Sequence, residues 1–437
     1  MRLLIAGGGL AGISLAYFAQ ADPGIAAIDI IEKEDEIGGL CRSFSHDGIP
    51  FDIGPHILFS KDKETLGLML DLLGNNRREL RRSNRILHKG RFVRYPFEND
   101  LSSLPEADCA RCLHGFLHNP YREYPADNML QFFLKTFGEG ITNLYLRPYN
   151  EKIWKFDPAF MDTQMTERIP RPPDADIRRS AAGEAPDGYT HQLYFSYPKT
   201  GGIAALVAAF ADRLNDKVRI HTAREIAAVR KTRAGFAVEA GGETFTGELL
   251  VSCIPLNTLT RIYEGIDADI AARGEGLRHT GILIAVLTAS EDRAGDNFAF
   301  MIADREVIFH RLSKLDFLGE AYRGADGTAT YMLEYTHRDG DPVSRLPDER
   351  LRDLFADGLK KIGFVRDERE ILSFTLKRFP RAYVIYDLRH RENMRAIRAY
   401  FDGRGLPLNG RFGNFEYHNM DRVVAESRKT AERIARR

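Results

Sequence analysis

The period of the apolar positions changes several times along the chain. Arg2 to Ala6 is a short apolar run, too short for a helix and suited to a buried strand. A glycine turn over Gly7–Gly12 follows, then an apolar helical pattern through Ala19. Ala27 to Ile31 predicts a second strand, ended by Glu32. Phe51, Ile53, Ile57 and Phe59 predict extended, half-buried chain around a Gly54-Pro55 turn. Residues 102–165, rich in helix formers and aromatics, predict a helical insertion. Val218–Thr222 and Phe236–Ala240 alternate like strands, and Leu249–Pro255 predicts a buried strand ending at a proline. His279–Thr288, Phe298–Ile302, Val307–Leu312 and Ala329–Tyr335 predict strands of a second sheet, and a polar helix runs from Asp421 to the end.

Gly7, Gly9 and Gly12 fit G-x-G-x-x-G between a strand and a helix. The first glycine permits the turn, the second lets a pyrophosphate approach the backbone, and the third lets helix pack on strand. The helix amino terminus then offers free N–H groups to phosphates. Glu32, twenty residues after Gly12, ends the next strand, where it can accept from both ribose hydroxyls and repel a 2′-phosphate. Gly38-Gly39 and then Arg42 follow. Such a pair, with an arginine able to reach phosphates, separates one large group of FAD proteins from plain NAD dehydrogenases. The set resembles the amine oxidase and protoporphyrinogen oxidase superfamily of flavoproteins.

Composition narrows the class. Lys+Arg and Asp+Glu are both 62, so bulk positive charge is not available for nucleic-acid binding. With 437 residues and 43% hydrophobic positions, a large core forms without disulfides. Four cysteines, Cys41, Cys109, Cys112 and Cys253, are too few for a disulfide scaffold and fit a reducing cytoplasm. Cys109 and Cys112 make one C-x-x-C with nothing to complete a metal site, so no metal is assigned. Arg2 and Ala19-Gln20-Ala21 mimic a signal peptide, but the glycines interrupt the apolar run, and no signal is read. No apolar stretch reaches eighteen residues, so no membrane span is expected. The basic segment Arg77–Arg94 reads as a solvated helical face, with a phosphate or membrane-surface contact as alternatives.

More of the chain carries a narrower resemblance. Gly54-Pro55-His56, Tyr95-Pro96-Phe97, Arg147-Pro148-Tyr149-Asn150 through Trp154, Glu167-Arg168-Ile169, Phe309-His310-Arg311 and Gly410-Arg411-Phe412-Gly413 with Tyr417 and Asp421 look like the UDP-galactopyranose mutases. The resemblance implies an α/β fold: a Rossmann-like FAD-binding domain, a helical insertion and a second, largely antiparallel sheet domain. It divides the chain into 1–90, 196–256 and 380–437 for FAD, 100–190 for the insertion, and 257–379 with 91–99 for the substrate. It implies His56 beside the flavin, and Arg168 and Arg311 as the arginines that clamp the substrate diphosphate. Tyr95, Asn150, Trp154, Tyr383 and Tyr417 would bind substrate. Gly7, Gly9, Gly12, Glu32, Gly39, Arg42, Val218, Gly410, Arg411, Met420 and Asp421 would hold FAD, with Val218 beside the adenine half. From the residues alone, His56 also reads as a structural histidine, Trp154 as a core anchor and Arg311 as a strand surface charge. Three departures stand out: Glu98 where eukaryotic mutases carry glutamine, Val384 in place of a proline, and no tyrosine between Leu312 and Leu318.

The implied activity is an FAD-dependent sugar-nucleotide mutase (an intramolecular transferase) of polysaccharide biosynthesis. Reduced flavin N5 would be the nucleophile at the anomeric carbon, interconverting pyranose and furanose rings. The alternative is an FAD-dependent oxidoreductase acting on a sugar, an amine or a small cyclic substrate. The partners implied are a nucleotide sugar and a reductant, NAD(P)H among the candidates. The sequence leaves homo-oligomerisation open.

Overall fold

A computed structural model describes residues 1–169, 173–184 and 193–436, without the side chains of Glu167 and Arg168. Four parallel strands in the order Leu249–Ser252, Arg2–Ala6, Ala27–Ile31, Val218–His221 form the nucleotide-binding sheet. A parallel sheet is covered on both faces, which is why Leu3, Leu4, Ile5 and Ala6 are all wholly buried. Helix Leu10–Ala19 is apolar nearly all round, as a helix sandwiched between layers must be. Its outer face is covered by helix Met420–Ala435, whose buried residues Met420, Val423, Val424, Ser427, Ala431 and Ile434 follow helical spacing. Asn409 Nδ2 donates to Ala11 O at 3.2 Å and to Ser427 Oγ at 2.9 Å, tying the end of the chain to its beginning.

The second sheet has seven strands in the order Ile371–Ile385, Arg278–Ala289, Ala329–His337, Arg311–Lys314, Ala299–Ile302, Asn84–His88, Arg91–Arg94. It is antiparallel except where Ala299–Ile302 runs parallel to Asn84–His88. Asn84–His88 and the whole of Ile371–Ile385 pair in this sheet. The expected strand Val307–Leu312 starts only at Arg311. The basic segment is corrected as well: Arg78–Arg81, Asn84–His88 and Arg91–Arg94 are strands, and no helical face forms there.

The insertion contains helices Glu106–Leu117, Met129–Ile141 and Arg147–Trp154. The first two approach backbone to backbone, since a Cβ on Gly138 would lie 2.1 Å from Gly115 O. Among the described residues no helix is long and apolar enough to cross a membrane.

A close approach in the nucleotide-binding layer is at Gly12, where a Cβ would lie 2.0 Å from Gly7 O. The obstacle is backbone and cannot rotate away. Gly12→Ala is expected to destabilise the protein by about 2–4 kcal/mol, read as a lower urea midpoint with an unchanged m-value.

Candidate functional site

At the carboxyl ends of the parallel strands the glycine turn and the acid meet. Gly7 has φ +103°, and its N–H donates to Ile31 O at 2.8 Å. Glu32 is buried and accepts from Gly8 N at 2.7 Å and Glu34 N at 3.0 Å. Gly38 N donates to Gly8 O at 2.9 Å, so the second glycine pair lies against the first. A Cβ on Gly39 would sit 3.2 Å from Gly9 Cα. Arg42 donates to Gly39 O at 3.2 Å and to Glu34 at 3.3 Å. The first-turn N–H groups of helix Leu10–Ala19 have no intrahelical acceptor, and bare glycine backbone surrounds them. This cradle fits the diphosphate of an adenine dinucleotide, with Glu32 poised at the ribose.

Val218 is not part of that cradle. It opens its strand opposite Ile28, at the far end of the sheet from Glu32. The strand meets the acid through its other end, where Glu32 N donates to His221 O at 2.9 Å and Arg224 N to Glu32 O at 2.8 Å.

A cavity of about 570 Å³ lies between the two sheets, a size that suits a cofactor ring plus part of a substrate. Its walls include His56, Tyr95, Arg311, Tyr383, Arg411, Tyr417, Met420 and Asp421 from the expected set. The loop bearing His56 starts at Asp52, which accepts from Ser43 Oγ at 2.6 Å, Tyr197 OH at 2.5 Å and Ile203 N at 3.0 Å. Burial pushes the Asp52 carboxyl up to about 6 despite those bonds. Burial, with Arg411 and Arg311 nearby, pushes His56 down to about 3, so its imidazole is neutral at physiological pH. His56 Nδ1 is out of solvent, and a main-chain hydrogen bond at Gly54 opposes the downward push without overcoming it.

Arg311 and Glu334 are register partners on adjacent strands, so their side chains meet on one face. Arg311 Nε and Nη2 fork onto the Glu334 carboxylate at 2.5 and 2.6 Å, leaving Nη1 uncommitted in that fork. Burial opposes the Arg311 charge, but Glu334 outweighs it and holds the guanidinium firmly protonated. Gly54 presses on this pair, since a Cβ there would lie 3.1 Å from Glu334 Oε2. Tyr383 and Tyr417 stack with ring centroids 5.7 Å apart. Arg411 lies over Tyr417 at 4.9 Å and donates to His418 O and Ala382 O. Gly410 has φ +86° and turns the chain toward helix Met420–Ala435. That helix directs its amino end at the cavity, and Asp421 in its first turn accepts from Ser60 Oγ at 2.5 Å.

Asn150 and Trp154 stand behind the wall. Trp154 packs edge-on against Tyr383 at 5.7 Å and Tyr417 at 6.0 Å. Its Nε1 donates to Asn150 Oδ1 at 2.9 Å, and Asn150 Nδ2 donates to Leu146 O. Both polar groups are thus consumed within one helix, and the pair buttresses the tyrosines without lining the cavity. Arg168 ends the turn Thr163–Arg168, and its side chain lies outside the described residues. The residue that sequence reasoning missed is Arg82. It lines the cavity, packed over the Phe59 ring at 4.8 Å.

Residues 5–72 match the family model of an NAD(P)-binding Rossmann-like domain. The structure superposes on reduced UDP-galactopyranose mutase with TM-score 0.90 and 23% identity, covering 99% of this chain and 95% of that one. The chain shares the fold of that mutase. A protein from Exiguobacterium sp. 255-15 described as a protoporphyrinogen oxidase follows, at TM-score 0.78 and 16% identity over 99% and 98% of the two chains. A putrescine oxidase variant with redesigned cofactor binding matches at 0.68 and 14%, over 100% of both. The expected Rossmann-like α/β architecture with a second, largely antiparallel sheet is therefore the fold observed.

Glu98 lies behind the cavity wall, 2% exposed, and among the described residues its Oε1 has no hydrogen-bond partner. Burial pushes its carboxyl up to about 7. A folded-state value above the unfolded one gives a contribution that is intact below pH 4.5 and lost as pH rises through 7. Between pH 5 and 8 this group is expected to cost the fold on the order of 2 kcal/mol, and Glu98→Gln to remove that loss, measured by urea unfolding at both pH values.

Proposed function

We propose that this chain is an FAD-dependent enzyme that interconverts the pyranose and furanose forms of a nucleotide-linked sugar. The observation that carries the reading is the charge of the cavity. Arg82, Arg311 and Arg411 all face it, beside a neutral His56 and the stacked tyrosines. Such a wall suits a diphosphate and repels an amine, which disfavours an amine oxidase on the same fold. The likeness to UDP-galactopyranose mutase over nearly the whole chain, second sheet included, supports the same reading.

The glycine cradle and Glu32 would hold the adenosine diphosphate half of FAD. His56, Arg411 and the amino end of helix Met420–Ala435 would surround its ring, the helix favouring negative charge there. Bound in reduced form, FAD supplies a nucleophilic ring nitrogen for the anomeric carbon. The residues do the rest. Arg311, kept charged and oriented by Glu334, offers its uncommitted edge to the departing diphosphate and offsets the charge that develops as the bond to the sugar breaks. Burial keeps Tyr383 un-ionised, so its hydroxyl remains a donor to a phosphate oxygen. Arg168 is assigned to the same diphosphate from the sequence. The C1–O bond to the diphosphate breaks and re-forms, and the ring C1–O5 bond is exchanged for C1–O4, so bonds broken and formed match and no electron acceptor is consumed.

The test is anaerobic turnover of UDP-galactopyranose and other nucleotide sugars by the purified holoenzyme, oxidised and dithionite-reduced. Furanose product from the reduced enzyme alone is the expected result. Steady hydrogen peroxide release with no furanose from any of them would overturn the reading in favour of an oxidoreductase. Arg311→Lys, which keeps a cation beside Glu334 but loses the fork, is expected to lower kcat about 10- to 100-fold while flavin content stays at the wild-type level.

A further inference from the structure

Arg82 sits in the short link between strands Arg78–Arg81 and Asn84–His88. Its guanidinium reaches the cavity across the face of Phe59. Nε and Nη2 are both out of solvent, and among the described residues neither has an acceptor. The other two arginines of the cavity differ. Arg311 is forked onto Glu334, and Arg411 is bonded to two main-chain carbonyls. A guanidinium buried without an anion is costly, and a second positive charge close by raises that cost. Burial lowers the affinity of Arg82 for its proton, and Arg311 is the cation it feels. Asn84 Oδ1, two residues on and also lining the cavity, is orphaned too. The arrangement is incomplete without a ligand bearing negative charge.

We propose that Arg82 is a binding residue for the substrate diphosphate, acting together with Arg311. The inference rests on the nucleotide-sugar reading above. A diphosphate carries charge for two cations at once, which a neutral sugar does not. A reduced cofactor ring would bring a single negative charge, which the helix amino end at Met420 would offset. The titratable groups that Arg82 senses are Arg311 and the Tyr95 hydroxyl, and both line the cavity.

The experiment is isothermal titration of UDP and of uridine into the holoenzyme and its Arg82→Gln and Arg82→Lys variants. Arg82→Gln is expected to weaken UDP about 10- to 100-fold and uridine less than about 2-fold. Arg82→Lys keeps the charge without the fork and is expected to lose about 3- to 10-fold on UDP alone. With no ligand, Arg82→Gln is expected to melt at or above the wild-type temperature, because it removes an uncompensated buried charge; a structural role would lower the melt. Unchanged UDP affinity in both variants would overturn the proposal. So would equal losses on UDP and uridine, or a fall in the flavin midpoint potential with UDP binding intact, which would assign the charge to the cofactor. Wild-type protein that binds no UDP would sink the nucleotide-sugar reading and this inference together; normal wild-type binding that Arg82→Gln leaves unchanged would sink this inference alone.

Discussion

Glu334 is wholly buried in the middle of the seven-stranded sheet, and the architecture around the cavity follows from compensating its charge. A carboxylate at that depth is tolerable only with a cation forked onto it. Antiparallel register supplies Arg311 directly across. The pair then dictates its neighbours. The residue at 54 has to lack a side chain, because the loop carrying His56 crosses on top of the carboxylate. The same pairing orients the remaining edge of Arg311, and with it the most strongly held positive charge of the cavity.

The nucleotide half obeys a different constraint, main-chain proximity. Gly7, Gly12 and Gly39 allow three backbone segments to come within contact distance, and no side-chain chemistry is involved. Glu32 adds the one polar anchor, bridging Gly8 and Glu34. The two halves meet through the strand Ile371–Ile385, which pairs in the large sheet and presents Tyr383 to the cavity and Ala382 O to Arg411.

What could be read from the chain alone divides along the same line. The glycine cradle and Glu32 were legible because their chemistry is local: turn, helix start and strand end lie within about thirty residues. The second sheet was legible as alternation, and its antiparallel character held. Val218 was misplaced because alternation marks a strand without saying which end faces a ligand. Asn150 and Trp154 did carry a readable signal, since a spacing of four on a helix lets one side chain satisfy the other. For Arg82 the only signal was the phosphate-contact alternative for the whole basic segment. It stands among Arg77, Arg78 and Arg81, a composition typical of solvated surface, and only the fold takes its Nε and Nη2 out of water.

The clasp between Asn409, Ser427 and Ala11 has a consequence for how the protein is made. The first helix is apolar on nearly every side, and its cover is a helix some four hundred residues downstream. During vectorial synthesis the strand and helix at residues 2–19 emerge some four hundred residues before the helix that packs on them. The helix that opens the dinucleotide cradle therefore gains this cover only when a segment some four hundred residues further along packs back onto it, although the cradle's own glycines and Glu32 lie close together in sequence.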